Sequence, residues 1–137
     1  MPSHLEDKEE IRELLHRYCY GTDAGNVEEW VAGFTDDCVW DGGPFGVCKG
    51  RDEMRAFYAN GVEQARTMRH LTLNTVIDLE GDRARAVSYV VLLQAAATGT
   101  NVMFTGFYDD SLVRLDGQWR ITNRKLRPDL SEIRLPG

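Results

Sequence analysis

The sequence predicts an α+β protein in which three N-terminal helices pack on a curved antiparallel or mixed sheet. Residues 6–65 hold segments of helical periodicity, and residues 69–126 hold only long segments typical of strands. Helices followed by a run of strands are typical of α+β folds. Because long twisted sheets curl, we expect a cone whose mouth suits a small apolar ligand.

The helices are predicted from apolar spacing and from capping residues. The first runs from Glu6 to about Thr22. Asn26 followed by Glu29 resembles a capping box and is predicted to begin the second helix. The segment GRDEMRAFYANGVEQA is predicted to be a third helix, and a short strand, CVW, precedes the turn-rich DGGPFG.

Four strands complete the predicted fold, over residues 69–79, 83–97, 101–115 and 118–126. Hairpin-type residues separate them, namely Glu80-Gly81-Asp82, Gly99 and Asp116-Gly117. The tail after Pro128 is predicted to be irregular.

The first of these strands, MRHLTLNTVIDL, alternates between apolar and polar residues. Strict alternation predicts one buried face, formed by Leu71, Leu73, Ile77 and Leu79. His70 falls on the opposite face, together with Thr72, Asn74 and Asp78. This polar face is therefore expected either to meet solvent or to line a pocket.

Length and composition are those of one globular domain, residues 1–137. The formal net charge is −6, which makes nucleic acids and anionic membranes unfavourable partners. The three cysteines are scattered without metal-ligand spacing, which favours a reducing compartment. The charged start MPSHLEDKEE is unlike a signal peptide, so we predict a cytoplasmic protein.

Known cofactor and metal motifs are absent from the sequence, including H-E-x-x-H, the P-loop and the dinucleotide-binding glycine pattern. The sequence therefore predicts no cofactor and no metal, and a small molecule as the main partner.

Four stretches carry a resemblance to a known family. IRELLHRYCYGTDAGNVEEWVAGFTDDCVWD, GRDEMRAFY, RHLTLNTVIDLEGDRARAVSYV and GFYDDSLVRLDGQWRITNRK follow the order of SnoaL-like domains in the nuclear transport factor 2-like superfamily. The resemblance spans about residues 5–127 and implies a cone-shaped, cystatin-like α+β barrel. This superfamily includes enzymes, binding modules and trafficking proteins, so the fold alone does not specify the function.

Within that superfamily, the sequence resembles the dehydratase and dehydrochlorinase branch, which includes scytalone dehydratase, hexachlorocyclohexane dehydrochlorinase and bile acid 7α-dehydratase. The resemblance implies a catalytic Asp just past the first helix, matched by Asp23, and a catalytic His at the start of a strand, matched by His70. Tyr18 matches a tyrosine of the bile-acid enzyme, and Arg124 matches an arginine of the dehydrochlorinase. The second His of scytalone dehydratase has no counterpart here, which argues against scytalone as the substrate.

These residues suggest a general base. A carboxylate that holds one imidazole nitrogen sets the tautomer and raises the basicity of the other nitrogen. We therefore expect His70 to take a proton from a substrate carbon, Asp23 to orient it, and Tyr18 or Arg124 to stabilise the departing group. The alternatives are a turn carboxylate at Asp23, an exposed strand histidine at His70, a core aromatic at Tyr18 and a solvated charge at Arg124.

A rival enzyme hypothesis centres on Asp41, which ends a strand before a Gly/Pro turn, as in ketosteroid isomerase. Asp41 would then be the proton shuttle of an isomerase or polyketide cyclase, or else only a turn residue. Together with Asp41, Trp40, Phe104 and Tyr108 are predicted to contact the substrate, although the aromatic residues could instead pack the sheet.

The sequence thus predicts a cofactor-independent lyase or isomerase, specifically a dehydratase, acting on a small apolar alicyclic, polyketide or steroid-like substrate. The alternative from another class is a non-catalytic ligand-binding module of the same fold. Residues 83–97 carry apolar side chains on both faces of the predicted strand. The helices can shield one face from water, and a partner subunit is expected to shield the other, so a homodimer or homotrimer is predicted.

Overall fold

The computed structural model describes residues 3–130. The tail predicted to be irregular lies largely outside this range. The elements, in chain order, are α1 (His4–Asp23), α2 (Val27–Val31), β1 (Phe34–Asp41), a 3₁₀ turn (Gly43–Phe45), β2 (Val47–Lys49), α3 (Arg51–Ala59), α4 (Val62–Ala65), β3 (Met68–Glu80), β4 (Arg83–Ala96), β5 (Gly99–Leu115) and β6 (Gln118–Pro128).

One six-stranded sheet has the order β2-β1-β6-β5-β4-β3. The β1–β6 pair is parallel and every other pair is antiparallel. The sheet curves but does not close, and the helices cover its concave face. The predicted α+β class with a mixed, curved sheet is therefore confirmed, in the form of an open cone.

The first two of the three predicted helices begin with a side-chain cap. Ser3 and Glu6 form a complete capping box, so α1 begins at His4, two residues earlier than predicted. The Asn26 side chain accepts a hydrogen bond from the Glu29 backbone N–H at 3.1 Å, and this caps α2.

The predicted third helix is interrupted, and the single expected strand before it is two strands. Asn60 ends α3 and Gly61 precedes the short α4, so the segment is not one continuous helix. β1 is eight residues long rather than three, and β2 pairs with it. At this interruption, Asn60 and Gly61 line a cavity between the helices and the sheet.

A β-bulge in β3 changes which residues face the core. The register with β4 shifts between Leu73 and Val76, and Asn74 has a positive φ of 54°. Before the bulge Leu71 is 39% exposed, although it was predicted to be buried; after the bulge Ile77 is only 3% exposed, as predicted.

The prediction of one continuous apolar face is therefore wrong for Leu71 and Leu73, which lie on the outer face of the sheet. The bulge inserts an extra residue and reverses the alternation. As a consequence, Thr72 is buried and His70 points towards the helices.

The core lies between the helices and the concave face of the sheet. Ile11, Leu15 and Tyr18 contribute the buried stripe of α1, while Phe34 and Ile121 contribute from β1 and β6. Within residues 3–130, no helix combines the length and the apolar character needed to cross a membrane.

Candidate active site

A cavity of about 440 Å³ lies between the helices and the sheet. This volume is typical of small-molecule sites, which range over roughly 300–1,000 Å³. The wall is mainly aromatic and includes Trp30, Trp40, Phe57, Phe104 and Tyr108. Among the described residues, no Asp, Glu, Lys or Arg side chain lines it, so His70 is the basic group on this wall.

The structure brings Asp23 and His70 together across 47 residues of sequence. His70 Nδ1 lies 2.7 Å from Asp23 Oδ1, and the His70 backbone N–H donates to Asp23 Oδ2 at 3.0 Å. Only 14% of the His70 side chain and 12% of the Asp23 side chain are exposed. With its proton on Nδ1, the imidazole carries a lone pair on Nε2, the form a general base requires.

Packing at the end of α1 sets the position of Asp23, which is the last residue of that helix. Gly21 allows α2 to approach closely, since a Cβ there would lie 2.6 Å from the Trp30 backbone nitrogen. The Tyr58 hydroxyl donates to the Thr22 carbonyl at 2.7 Å. Burial raises the pKa of Tyr58, which therefore stays protonated and keeps this bond at neutral pH.

Tyr18 also lines the cavity, beside His70. The two rings are perpendicular, with centroids 6.5 Å apart. Trp40 Nε1 donates to the Tyr18 hydroxyl at 3.0 Å, so the phenol oxygen is an acceptor there. A phenol that accepts from an indole keeps its own proton available for another acceptor, such as a substrate oxygen.

Arg124 lies behind the cavity wall and not on it. Its side chain is fully buried, and Nε and Nη2 donate to Asp110 at 2.7 and 2.8 Å. The guanidinium carbon lies 4.3 Å from the Tyr18 ring centroid and 3.7 Å from that of Tyr108. Burial alone would lower the pKa of Arg124, but the Asp110 carboxylate more than offsets this and raises it, so the guanidinium remains charged.

Asp41 lies outside the cavity, although its neighbour Trp40 is part of the wall. Its carboxylate accepts from the Gly43 backbone N–H at 2.9 Å and from Arg127 at 3.2 Å. The bond from Gly43, supported by Arg127, lowers the pKa of Asp41. Because alternate residues of a strand face opposite sides, Trp40 and Asp41 cannot both point inward.

Two features of the site were not predicted from the sequence. Asp110 was not identified as the partner of Arg124, although the inward alternation of Phe104, Tyr108 and Leu112 indicates that it is buried. A buried carboxylate needs a cation or hydrogen-bond donors. This requirement could have predicted a basic partner for Asp110 on a neighbouring strand. Trp30, Tyr58 and other cavity-lining residues were also not identified, because their meeting point depends on how α2 and α3 pack.

A metal site is not evident in residues 3–130, where no group of three or more His, Cys, Asp or Glu side chains is placed to hold an ion. Cys19, Cys38 and Cys48 are buried free thiols. Cys19 lies next to Thr72, with Sγ and Oγ1 3.3 Å apart.

Comparison with known structures shows the same architecture elsewhere. A protein of unknown function with a cystatin-like fold from Nostoc punctiforme is 30% identical and superposes with a TM-score of 0.82, covering 94% of this chain and 95% of that one. A protein from Novosphingobium aromaticivorans, provisionally named a scytalone dehydratase, is 27% identical with a TM-score of 0.75, covering 91% and 85%.

Sequence comparison adds a curated relative and a family model. The anthranilate 1,2-dioxygenase small subunit of Burkholderia cepacia is 27% identical over 141 residues, covering 90% of this chain and 88% of that protein. The model of the SnoaL-like domain matches residues 3–125. This match spans nearly the whole chain and agrees with the cone-shaped fold, so the protein belongs to the SnoaL-like domain family, with a nuclear transport factor 2-like fold.

Proposed function

We propose that this protein is a cofactor-independent lyase that eliminates water from a small, neutral, ring-containing substrate. The observation that carries this proposal is the Asp23–His70 pair, which presents a base to a cavity otherwise lined by apolar and uncharged groups. Similarity to the protein provisionally named a scytalone dehydratase supports the same reaction class.

The proposed reaction needs no external oxidant or cofactor. His70 Nε2 takes the proton from a carbon next to a carbonyl, and the electron pair of the C–H bond moves to give an enolate. The enolate then expels a hydroxide from the neighbouring carbon, so a carbon–carbon double bond forms as the carbon–oxygen bond breaks. The proton held by His70 joins the hydroxide to give water, which restores the base.

The substrate class follows from the wall of the cavity. Aromatic side chains such as Trp30 and Phe104 favour a flat or alicyclic hydrocarbon body. Arg124 is sealed behind two tyrosine rings, so the cavity offers no cation to a substrate carboxylate. Neutral polyketide-like, terpenoid or steroid-like ketones with a β-hydroxyl group fit these conditions.

The test uses a panel of cyclic β-hydroxy ketones, with the absorbance of the conjugated product as the readout. We expect the wild-type protein to dehydrate members of this panel and His70→Ala to lose a factor of about 10²–10⁴ in kcat, the usual contribution of a general base. His16→Ala is the matched control, since His16 is an exposed histidine of α1. Near-wild-type turnover by His70→Ala would end the proposal.

A second candidate function is that of a non-catalytic small subunit that packs on the larger subunit of a dioxygenase. The similarity to a dioxygenase small subunit favours it, and so does the exposed apolar character of the outer sheet face. This function makes no use of His70. It therefore predicts that no ketone in the panel is turned over and that His70→Ala assembles with its larger partner as the wild type does.

A further inference from the structure

Two phenols lie next to each other in the wall of the cavity. Tyr18 and Tyr108 both line it, and their ring centroids are 6.0 Å apart. Burial raises the pKa of Tyr108 well above its ordinary value, and the adjacent Tyr18 phenol raises it further. Tyr108 is thus protonated at neutral pH. The cavity wall therefore carries two phenol O–H groups, and one of them, that of Tyr18, belongs to a ring next to His70.

A single buried cation stacks on both phenol rings. The Arg124 guanidinium lies within 4.3 Å of each ring centroid, and Asp110 holds two of its nitrogens. The third nitrogen, Nη1, is buried and has no hydrogen-bond partner among the described residues. The register places Asp110 directly opposite Arg124 on neighbouring strands, so the backbone holds the two side chains next to each other.

Stability alone does not account for this arrangement. Removing two charges from water is costly, and replacing a buried ion pair by apolar side chains of similar volume is often neutral or stabilising. The unpaired Nη1 adds a further cost. The partners of the Arg124 charge that also line the cavity are the rings of Tyr18 and Tyr108, on which its guanidinium stacks.

A cation at the face of a phenol ring draws on the electron density of that ring. Burial raises the pKa of Tyr108, but the Arg124 charge acts in the opposite direction and lowers it. The hydroxyl is therefore a stronger donor than it would be without the cation, and hydrogen bonds to a charged acceptor are the strong ones. Donors set in place before the reaction can supply a large share of catalysis at a developing oxyanion.

We propose that Tyr18 and Tyr108 together bind the substrate oxygen that becomes negatively charged, and that Arg124, held by Asp110, acts through both rings as a positioning residue. This inference rests on the proposed lyase function and adds Tyr108 as a second donor. It predicts that the cavity binds the ionised form of small phenols in preference to compounds of the same shape without a hydroxyl.

The first test is binding of 4-nitrophenol, whose visible absorbance reports ionisation, compared with binding of nitrobenzene. We expect Tyr108→Phe to lose roughly tenfold in affinity for nitrophenolate and to bind nitrobenzene as before, since one hydrogen bond to a charged group is lost. Tyr20→Phe is the matched control, because Tyr20 is an exposed tyrosine of α1. Unchanged nitrophenolate binding by Tyr108→Phe would overturn the proposal.

The second test concerns the cation. Asp110→Val combined with Arg124→Met replaces the ion pair by apolar side chains, and its fold is checked by thermal melting. We expect a folded protein with several-fold weaker nitrophenolate binding although both phenols remain. Arg85→Met with Asp109→Val is the matched control, because this pair has the same two-bond geometry but is largely exposed.

A third variant decides the question even if that double variant does not fold. Arg124→Lys keeps the charge but loses the flat guanidinium that stacks on the rings. We expect it to weaken nitrophenolate binding in the wild-type background and to have no effect in a Tyr18→Phe/Tyr108→Phe background. An equal loss in both backgrounds would show that Arg124 does not act through the phenols.

Probe binding separates this inference from the lyase proposal. A protein that prefers nitrophenolate but turns over no ketone would support the anion site and contradict the lyase. An active enzyme whose Tyr108→Phe variant binds nitrophenolate normally would contradict only the present inference.

Discussion

Asp23 occupies an unfavourable position for a carboxylate. It ends α1, where the negative end of the helix dipole typically costs about 0.3–1 kcal/mol. Two hydrogen bonds from His70, through its backbone N–H and its ring, offset that cost. One of these bonds holds the backbone of β3, and the other orients the imidazole. Asp23 therefore positions the strand and the base together.

Asp23→Asn removes the negative charge of this side chain but keeps nearly the same shape, so it tests the role of the charge alone. An amide can still hold the His70 backbone N–H, but it no longer favours a proton on Nδ1 and so loses the orientation of the lone pair. We expect kcat to fall by roughly 10²–10⁴ with KM little changed, as measured on the ketone panel.

A double variant provides the control for this prediction. Residues that act as one unit are not additive, so Asp23→Asn/His70→Ala should be no slower than His70→Ala alone. A wild-type kcat for Asp23→Asn, or two losses that simply multiply, would contradict a shared role.

At the scale of elements, a cluster of hydrogen bonds centred on Asp7 joins the start of α1 to the β5–β6 hairpin. We call this cluster the polar staple. Asp7 is buried, and its carboxylate accepts from Trp119 Nε1 at 3.1 Å and from Arg114 Nη1 at 2.7 Å. Arg114 continues the staple to Asp82, in the β3–β4 turn. Asp7 lies in the first turn of α1, where the helix dipole favours a carboxylate.

Asp7→Ala should therefore destabilise the fold without touching the cavity. The fully buried Trp119 would keep an indole N–H with no acceptor, which costs about 1–3 kcal/mol. Urea denaturation followed by tryptophan fluorescence measures this loss. Asp82→Ala is the control, because the Asp82 side chain is mostly exposed and its ion pair adds little. A midpoint for Asp7→Ala equal to that of Asp82→Ala would disprove the role of the staple.

At the scale of the whole molecule, the outer face of the sheet carries an apolar patch. Leu73 pairs with Tyr89, and Tyr89 pairs with Phe107, so three exposed apolar side chains lie side by side on neighbouring strands. Leu71 and Val102 extend the patch. Apolar patches of this kind mark interaction surfaces, because leaving them in water is unfavourable.

We propose that two copies of the protein associate through this outer apolar patch. Tyr89→Glu should convert a dimer into a folded monomer, since a buried unpaired carboxylate is costly at an interface. Sedimentation at several protein concentrations measures the mass, and circular dichroism checks the fold. Leu115→Glu is the matched control, since Leu115 is an exposed apolar residue near the far end of β5. A wild-type protein that stays monomeric at all concentrations would contradict the proposal.

By itself the sequence determined the class of fold, the four long strands and the turns between them. These features depend on the spacing of apolar and polar residues within one segment. That spacing can be read from the sequence without knowing which other segments it contacts. The resemblance to SnoaL-like domains then identified Asp23 and His70 as candidate catalytic residues. The alternation of the strand alone did not decide whether His70 faces solvent or a pocket.

Only the tertiary structure decided which way the polar face of β3 turns, because one bulge at Asn74 reverses the alternation. It also decided that Arg124 meets Asp110 and the two phenols instead of solvent. Such contacts depend on the register between strands and on how the helices pack on the sheet. The periodicity of a single segment predicts neither of these, because both involve residues that are distant in sequence.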